Sequence, residues 1–517
     1  MQRTLCAPLV GLLLAIGASA SAHAQSPAQF PPTPAFASPF LPANHWAVQA
    51  VRRLNALGLT DRRFGWLEGS LSRREVGAAL QSAVRTAQRT RPEFAALTLG
   101  YWQRFLDEFP VTADALVRRT IPTTQAEGWF TLGYARETGH LLPVRSRDNS
   151  RDNVDPPTPL GTRSDAGLDL GLGIPLGRYA VANFAPQRTE GRWGLGDSYL
   201  MGSWKKVGVW LGQRSFAYGP GNGGGIVFDG TTPFLGGGVS LMEPIRLPWI
   251  FRYIGPINFE TFLSRIDSSA SVKHPWVVAS HGSFSPFPRL LLGFTQAFMF
   301  SGSGLPPFNW PNFKEMFHSH GATVTGGREF ENGIASGEVR FRAPTPVVPT
   351  TFYLEWGAED NHKAWVLFPA TVAGVQVPAV PGVPALSLGF EHAFFHRPCT
   401  DCNYYATWYR HYVFKDGWTV NRTLIGHPLG GEGEAWRLYG SWDDPARRWR
   451  LNAATFLRDR GQFNLFSPTH QGRSTGGELN ATYRAAADLD VVLDGALEVG
   501  HADWTESSVF GGFRWLF

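Results

Sequence analysis

The sequence predicts an all-β fold: a transmembrane outer-membrane β-barrel of about 18 antiparallel strands with a small N-terminal α-helical periplasmic domain. From residue 127 onward, apolar and polar residues alternate in segments separated by Gly, Pro, Asn and Asp clusters. The last segment places Val509, Phe513, Trp515 and Phe517 on one face, and outer-membrane barrels typically end in such an aromatic strand. A composition with 58 Gly, 19 Trp and only 17% charged residues also suits many strands joined by tight turns.

The N-terminal residues predict export. Arg3 precedes an apolar stretch over residues 9–18, and Ala22 and Ala24 form a small-x-small cleavage site, so residues 1–24 are predicted to be a signal peptide. An exported barrel has outer-membrane lipid and the barrel assembly machinery as expected partners. The formal net charge of +5 is too small to indicate nucleic-acid binding.

Residues 25–44 are rich in Pro, Ser and Ala and are predicted to be an extended linker. Residues 45–115 are predicted to be a helical periplasmic domain, because apolar residues recur at helical spacing over 45–59, 72–84 and 92–109. Ser72 and Glu75 have the spacing of a capping box, which indicates where the second helix begins.

The barrel is expected to span residues 125–517, with apolar side chains towards lipid and charged side chains towards the lumen. The lumenal charges could line a conducting pore, or they could pair and seal it. We expect pairing, because ionised groups in a crowded lumen are stabilised by opposite charges. These charges are Arg340, Arg342, Arg437, Arg450, Glu260, Glu338 and Glu355.

Two motifs carry a resemblance to a known family. An aromatic-Gly-Pro-Gly turn is formed by Tyr218, Gly219, Pro220 and Gly221, and a Tyr-rich stretch at 409–412 is followed by the turn Gly426-His427. In this order they resemble the capsule assembly Wzi family of outer-membrane proteins over residues 125–517. The resemblance implies a lectin-like protein, not an enzyme, that retains or assembles capsular or extracellular polysaccharide at the cell surface. Family members usually carry Trp where Tyr218 stands, which leaves the glycan specificity open.

The Gly-rich run from Gly219 to Gly225 is not a phosphate-binding loop, since it has neither a following Lys-Ser/Thr nor a strand-helix junction. Glycine permits positive φ and close approach of the backbone. We therefore expect this run to bend a segment of chain into the lumen.

Within the helical domain, residues 45–47 (His-Trp-Ala) and 71–75 (Leu-Ser-Arg-Arg-Glu) are similar to an S-layer homology module. Such modules face the periplasm in outer-membrane proteins and hold the cell-wall polymer, so the resemblance implies peptidoglycan or another wall polymer as a partner. The same residues would also fit the core of an ordinary three-helix domain, and we favour this plain packing.

A polysaccharide site is expected to combine aromatic rings, which stack on the C–H faces of sugars, with Arg, which binds carboxylates bidentately. A Trp near a strand end also suits the interfacial girdle of a barrel, and a porin-like channel anchored to the wall through the helical domain is the alternative function. The candidate binding residues are Tyr404, Tyr405, Trp408, Tyr409, Arg410, His411, Tyr412, Trp310 and Lys314.

We expect no catalytic residues, no cofactor and no metal. Cys399 and Cys402 are predicted to form a small disulfide at the base of a loop, because disulfides persist in exported proteins. A zinc site that also uses His392 and His396 is the alternative.

Overall fold

Eighteen antiparallel strands close into one barrel, and the strand number predicted from the sequence is confirmed. The computed structural model describes residues 35–517 with gaps at 62–65, 123–124, 139–148, 151–152, 155–162, 190–191, 267–271, 317–323, 326–327, 330, 345–347, 360–364, 366–367, 397–407, 412, 416, 421–422, 445, 447, 468 and 502–503. Residues Ala35–Phe517 form one compact unit.

The strands follow one another around the barrel in chain order. Two of them are interrupted: Ala180–Phe184 continues as Gln187–Thr189, and Arg192–Gly194 continues as Tyr199–Trp204. The strands are β1 Glu127–Thr138, β2 Arg163–Pro175, β3 Ala180–Phe184, β4 Tyr199–Trp204, β5 Val207–Ala217, β6 Asp229–Leu241, β7 Ile257–Arg265, β8 Trp276–Phe287, β9 Leu290–Phe300, β10 Glu331–Arg342, β11 Thr351–Glu359, β12 Ala370–Val377, β13 Leu386–Phe395, β14 Gly433–Asp443, β15 Trp449–Arg460, β16 Gly472–Ala486, β17 Leu489–Gly500 and β18 Thr505–Leu516.

The barrel closes between its first and last strands. Trp129 on β1 pairs with Leu516 on β18, and the main chains of Gly128 and Phe517 exchange hydrogen bonds of 2.7 and 3.0 Å. The terminal aromatic strand therefore pairs at the seam with the strand that begins near Trp129.

Side chains alternate between the lumen and the outer surface along each strand. On β11, Tyr353 and Glu355 are buried in the lumen, whereas Phe352 and Leu354 are exposed on the outer face. An apolar outer face over a polar lumen is the pattern that a lipid bilayer requires of a barrel. Among the described residues, no helix has both the length and the apolar character to cross a bilayer.

Within the described residues, four helices precede the barrel, one more than the sequence patterns indicated. They are α1 Trp46–Leu57, α2 Arg73–Thr90, α3 Ala95–Glu108 and α4 Pro110–Arg118, with the 3-10 turn Pro92–Phe94 before α3. Helix α1 ends at Gly58, whose φ of 73° suits a left-handed cap, and α2 begins with the predicted capping box of Ser72 and Glu75. A short helix α5, Trp310–Met316, follows β9.

The four helices close one end of the barrel. This is the end where strands are joined by short turns such as 205–206, 288–289 and 487–488, and we call it the short-turn end. Arg53 pairs with Asp443 at 2.6 Å and Arg104 with Asp490 at 2.9 Å, so the helices contact β14 and β17.

The contacts continue around the rest of the rim. Arg74 pairs with Glu243 after β6 at 3.1 Å, and Arg340 on β10 pairs with Glu68 at 2.9 Å. Because strands on all sides of the barrel are contacted, residues 35–118 form a floor across the short-turn end, which we call the helical floor.

The described part of the predicted linker, residues 35–44, packs against this floor and the barrel. Phe40 is buried, its amide donates to the Tyr199 hydroxyl at 2.7 Å, and the Arg214 guanidinium lies 3.9 Å from its ring centroid. The boundaries of a separate helical domain stay a prediction.

Candidate functional site

The end of the barrel opposite the short-turn end carries the longer connections between strands, and we call it the long-loop end. From this end two stretches of chain fold back into the lumen. They are the described residues of 218–228 and 408–430, and we call them the lumenal segments. The first begins at the predicted Gly-rich turn. Gly219 has a φ of 97°, and a Cβ at this position would lie 2.4 Å from Oε2 of Glu355 on β11. The close approach and the positive φ explain why glycine stands here, and the expected inward bend is confirmed.

Carboxylates on the barrel wall hold the first lumenal segment by its main chain. Glu391 accepts hydrogen bonds from the amides of Asn222 and Gly223 at 2.6 and 2.9 Å, and Glu355 accepts one from the amide of Ile226 at 3.1 Å. These hydrogen bonds satisfy amides that are buried in the lumen.

The second lumenal segment is tied to the first through Tyr409. Its hydroxyl donates to the Ile226 carbonyl at 2.6 Å and accepts from the His427 amide at 3.0 Å. Glu359 on β11 accepts hydrogen bonds from the Tyr409 amide and the Trp418 indole at 2.6 and 3.0 Å. The two segments and the wall therefore form one core in the lumen, which we call the lumenal core. Its side chains are mostly apolar, and hydrogen bonds join its parts.

His427 is neutral inside this core. Burial, together with the nearby Arg458 and Arg437 charges, lowers the pKa of His427 to about 3. Its Nδ1 accepts a hydrogen bond from the Leu429 amide at 3.2 Å, which requires an unprotonated nitrogen. The predicted Gly-His turn is thus a structural element of the second lumenal segment.

The lumenal charges are largely paired, as expected. Arg214 pairs with Glu260 at 3.0 Å, Arg437 with Glu478 at 2.7 Å and Arg450 with Asp443 at 3.5 Å. Arg340 lies 3.9 Å from Glu338 in addition to its contact with Glu68. Arg342 instead donates to the main-chain carbonyls of Asn55 and Pro288, at 2.8 and 2.9 Å.

The predicted binding residues on the second lumenal segment are mostly buried. Trp408 is 2% exposed, and Tyr409 is fully enclosed, so in this structure neither ring offers a face to a sugar. The Nδ1 atom of His411 accepts hydrogen bonds from the amides of Val413 and Phe414, and Arg410 is half-buried. Both rings fill the lumenal core. The roles of Trp408 and Tyr409 in polysaccharide binding stay predictions.

Trp310 and Lys314 lie on α5 at the long-loop end. Trp310 is 72% exposed, and its ring stacks on Phe313 with centroids 5.8 Å apart. Of the candidate aromatic residues that the structure describes, Trp310 has the most accessible ring. Tyr404, Tyr405, Tyr412, Cys399 and Cys402 lie outside the described residues, so the disulfide and the roles of these tyrosines stay predictions.

Sequence reasoning did not single out Glu359 and Glu391, which anchor the lumenal segments. A signal was present, because each Glu occupies an inward position of a strand and directly follows an apolar residue, Ala358 or Phe390. A carboxylate at such a position must find donors in the lumen, but the strand pattern alone does not say which.

Together these features define a class of protein: a closed outer-membrane barrel whose lumen is filled from one end and floored at the other. The family model of the capsule assembly protein Wzi matches residues 162–507, and the chain belongs to this family. The chain is accordingly an outer-membrane protein.

Two known proteins are similar to the chain. An uncharacterized 55.8 kDa protein in the cps region of Klebsiella pneumoniae is 28% identical over 157 residues, which cover 29% of this chain and 31% of that protein, so the match spans about a third of the relative's length. Wzi of Escherichia coli, an outer membrane carbohydrate-binding β-barrel involved in group 1 capsule assembly, has a TM-score of 0.68 at 18% identity. The match covers 92% of this chain and 99% of that structure, and it shows that the two share a fold.

Proposed function

We propose that this protein binds a capsular or extracellular polysaccharide and retains it at the cell surface, and that it does not conduct small solutes. The observation that carries the proposal is the closed lumen. The helical floor is joined by ion pairs to β10, β14 and β17, and the lumenal segments occupy much of the lumen above it. A channel would need a continuous aqueous path, whereas a binding protein gains from a rigid scaffold.

Membership of the Wzi family supports the same conclusion, as does the shared fold with a barrel that binds carbohydrate. We propose that the exposed ring of Trp310, with Lys314 one helical turn away, contributes to polysaccharide contact at the long-loop end. A non-enzymatic role is part of the proposal, because a family of capsule assembly barrels is not a class of enzymes.

Further partners follow from the barrel itself. The apolar outer face, with Leu354 and Leu438 exposed, suits outer-membrane lipid. The aromatic last strand, with Phe513 and Trp515 outward, suits recognition by the barrel assembly machinery.

Wall binding through residues 45–115 is a separate part of the proposal. The residues behind the S-layer resemblance are buried: Arg73 donates to the Glu127 carbonyl at 2.9 Å, and His45 lies 3.0 Å from Glu108. A wall polymer would have to contact the exposed surface around Arg89 and Arg118 instead. Co-sedimentation of the purified protein with peptidoglycan tests this, and an R89A/R118A double variant that sediments as well as the native protein would argue against that surface.

The main proposal is tested in the native strain. Deletion of the gene should release surface polysaccharide into the medium, and a plasmid copy should restore cell-bound polysaccharide. The purified protein in planar bilayers should show no stable channel currents. Full retention of polysaccharide in the deletion strain, together with open-channel currents, would replace this function by that of a porin.

A further inference from the structure

One arc of the lumenal wall is left uncovered by the lumenal segments. On β5, β7 and β9, inward residues such as Trp210, Phe262 and Met299 are buried in the lumenal core. Halfway along β15 to β18, by contrast, the inward residues are only part-buried. This difference leaves a groove along one side of the lumen.

Four inward side chains from four consecutive strands form a row in this groove, which we call the lumenal row. Strand register places Asn452 opposite Asn480, Asn480 opposite Asp494, and Asp494 opposite Phe510. The amide of Asn452 donates to Oδ1 of Asn480 at 3.2 Å, and the amide of Asn480 donates to Oδ1 of Asp494. Cross-strand hydrogen bonds thus fix the direction of each polar group.

The ring of Phe510 packs closely against glycines. A Cβ on Gly133 would stand 2.4 Å from the ring, and a Cβ on Gly167 or Gly512 would stand 2.8 or 2.9 Å from it. Three glycines on β1, β2 and β18 therefore make room for the ring. The side chain remains part-exposed, which leaves the ring accessible from the lumen.

The groove has defined limits. Towards the short-turn end, Asp490 is paired with Arg104 and Arg484, at 2.9 and 3.1 Å. Towards the long-loop end on β15 and β17, Glu498 is buried between Arg458 and Arg460, at 2.6 and 2.8 Å. Beside this cluster, Ser508 on β18 and Ala135 on β1 remain part-exposed, so the groove continues along these two strands.

We propose that the lumenal row binds one pyranose unit of a neutral glycan. An aromatic ring beside amide and carboxylate groups suits a sugar. The C–H face of the sugar can stack on the aromatic ring, and its hydroxyls can donate hydrogen bonds to the carboxylate and exchange them with the amides. The Asp494 carboxylate stands next to the stacking position and repels an acidic sugar there, and Arg437 is already paired with Glu478. A sugar bound to Asn480 and Phe510 would lie in the lumen, against the inner face of the barrel wall.

This inference rests on the proposed function, and it names the site and the sugar class. The test uses the full chain purified in detergent and, as probe, oligosaccharides made by partial hydrolysis of the native strain's surface polysaccharide, with binding measured by calorimetry. Phe510→Ala and Asn480→Ala remove the stacking ring and the central amide. Ala496→Trp fills the groove without altering the row, and Leu479→Ala, an outward neighbour of Asn480, is the matched control.

The expected result is binding by the native protein and by Leu479→Ala, with affinity at least about tenfold lower in the other three variants, which is about 1.4 kcal/mol. Heat-modifiable migration on gels checks that each variant is folded. Equal binding by all folded variants would overturn the lumenal site and leave the proposed function standing. A native protein that binds none of the oligosaccharides would overturn the proposed function itself, and the lumenal site with it.

Discussion

Single buried side chains decide how the lumenal segments are held. Tyr409 is the clearest case, since one hydroxyl connects Ile226 of the first segment to His427 of the second. Removal of this hydroxyl would leave the buried His427 amide without this acceptor and the Ile226 carbonyl without this donor.

Tyr409→Phe should lower the free energy of unfolding by about 1–3 kcal/mol, the usual cost of leaving a buried polar group unsatisfied. Urea unfolding in detergent, followed by tryptophan fluorescence, measures the change. The control is Tyr483→Phe, on the outer face of β16, where the ring contacts Trp449 with centroids 4.7 Å apart. Equal losses in both variants would show that the Tyr409 hydroxyl has no special role.

His427 should make the second lumenal segment sensitive to acid. Its pKa is about 3 in the folded protein and near 6.5 when unfolded, so the unfolded state binds the proton first as the pH falls. The stabilisation is complete above pH 6.5 and is lost progressively towards pH 3. Hydrogen exchange at the Leu429 amide should therefore speed up between pH 7 and 4 relative to His427→Gln, after correction for intrinsic exchange. Parallel pH profiles in the two proteins would contradict this assignment.

Tyr409 and His427 also show how much of the lumenal core could be predicted from the sequence. The order Tyr409 to His427 carries the family resemblance, and Gly219 predicted the inward bend, so the sequence located the segments that matter. It did not reveal that Trp408 and Tyr409 are buried, because an aromatic residue in a loop has the same local sequence whether it faces solvent or folds back onto the wall. Among the contacts that bury them are those with Glu359 and Phe395, which lie on the barrel strands β11 and β13.

At the scale of elements, the helical floor is the feature that closes the short-turn end of the barrel. The capping box at Ser72 is a local signal, and it predicted where the second helix begins. The docking of those helices depends on Arg53, Arg73, Arg74 and Arg104, whose partners lie in the barrel. The sequence does not distinguish an arginine that is exposed to solvent from one that pairs with a carboxylate of the barrel. The position of the floor could therefore not be predicted.

The double variant R53A/R104A should loosen the floor, because each arginine is buried against a carboxylate of the wall, and removal leaves Asp443 and Asp490 with fewer partners. We expect intermittent currents in planar bilayers where the native protein is silent. Arg91→Ala, which removes an exposed pair with Glu93, is the control and should stay silent. Silent R53A/R104A bilayers would mean that the lumenal segments alone close the barrel.

At the scale of the whole molecule, the alternation of apolar and polar residues predicted the number of strands and the face that each side chain occupies. It could do so because lipid requires apolar side chains on the outer face of every strand. The seam is the one place where the two ends of the barrel sequence must meet. Gly128 and Phe517 make its outermost hydrogen bonds.

Removal of Phe517 should lower the amount of folded protein in the outer membrane, since the seam loses two main-chain hydrogen bonds and an outward aromatic ring. Heat-modifiable migration of membrane fractions measures this, and Phe517→Tyr, which keeps the bonds and the ring, should assemble normally. Normal assembly of the shortened chain would show that the seam tolerates the loss.

The contacts of the helical floor with all sides of the rim have a mechanical consequence. A hollow barrel can flatten under sideways load, because neighbouring strands slide and the circular section becomes oval. Here the pairs Arg53–Asp443, Arg104–Asp490 and Arg340–Glu68 act as cross-braces between distant parts of the wall. Drag on a long polymer outside the cell would then be spread over the whole circumference instead of shearing the few strands nearest to the point of attachment.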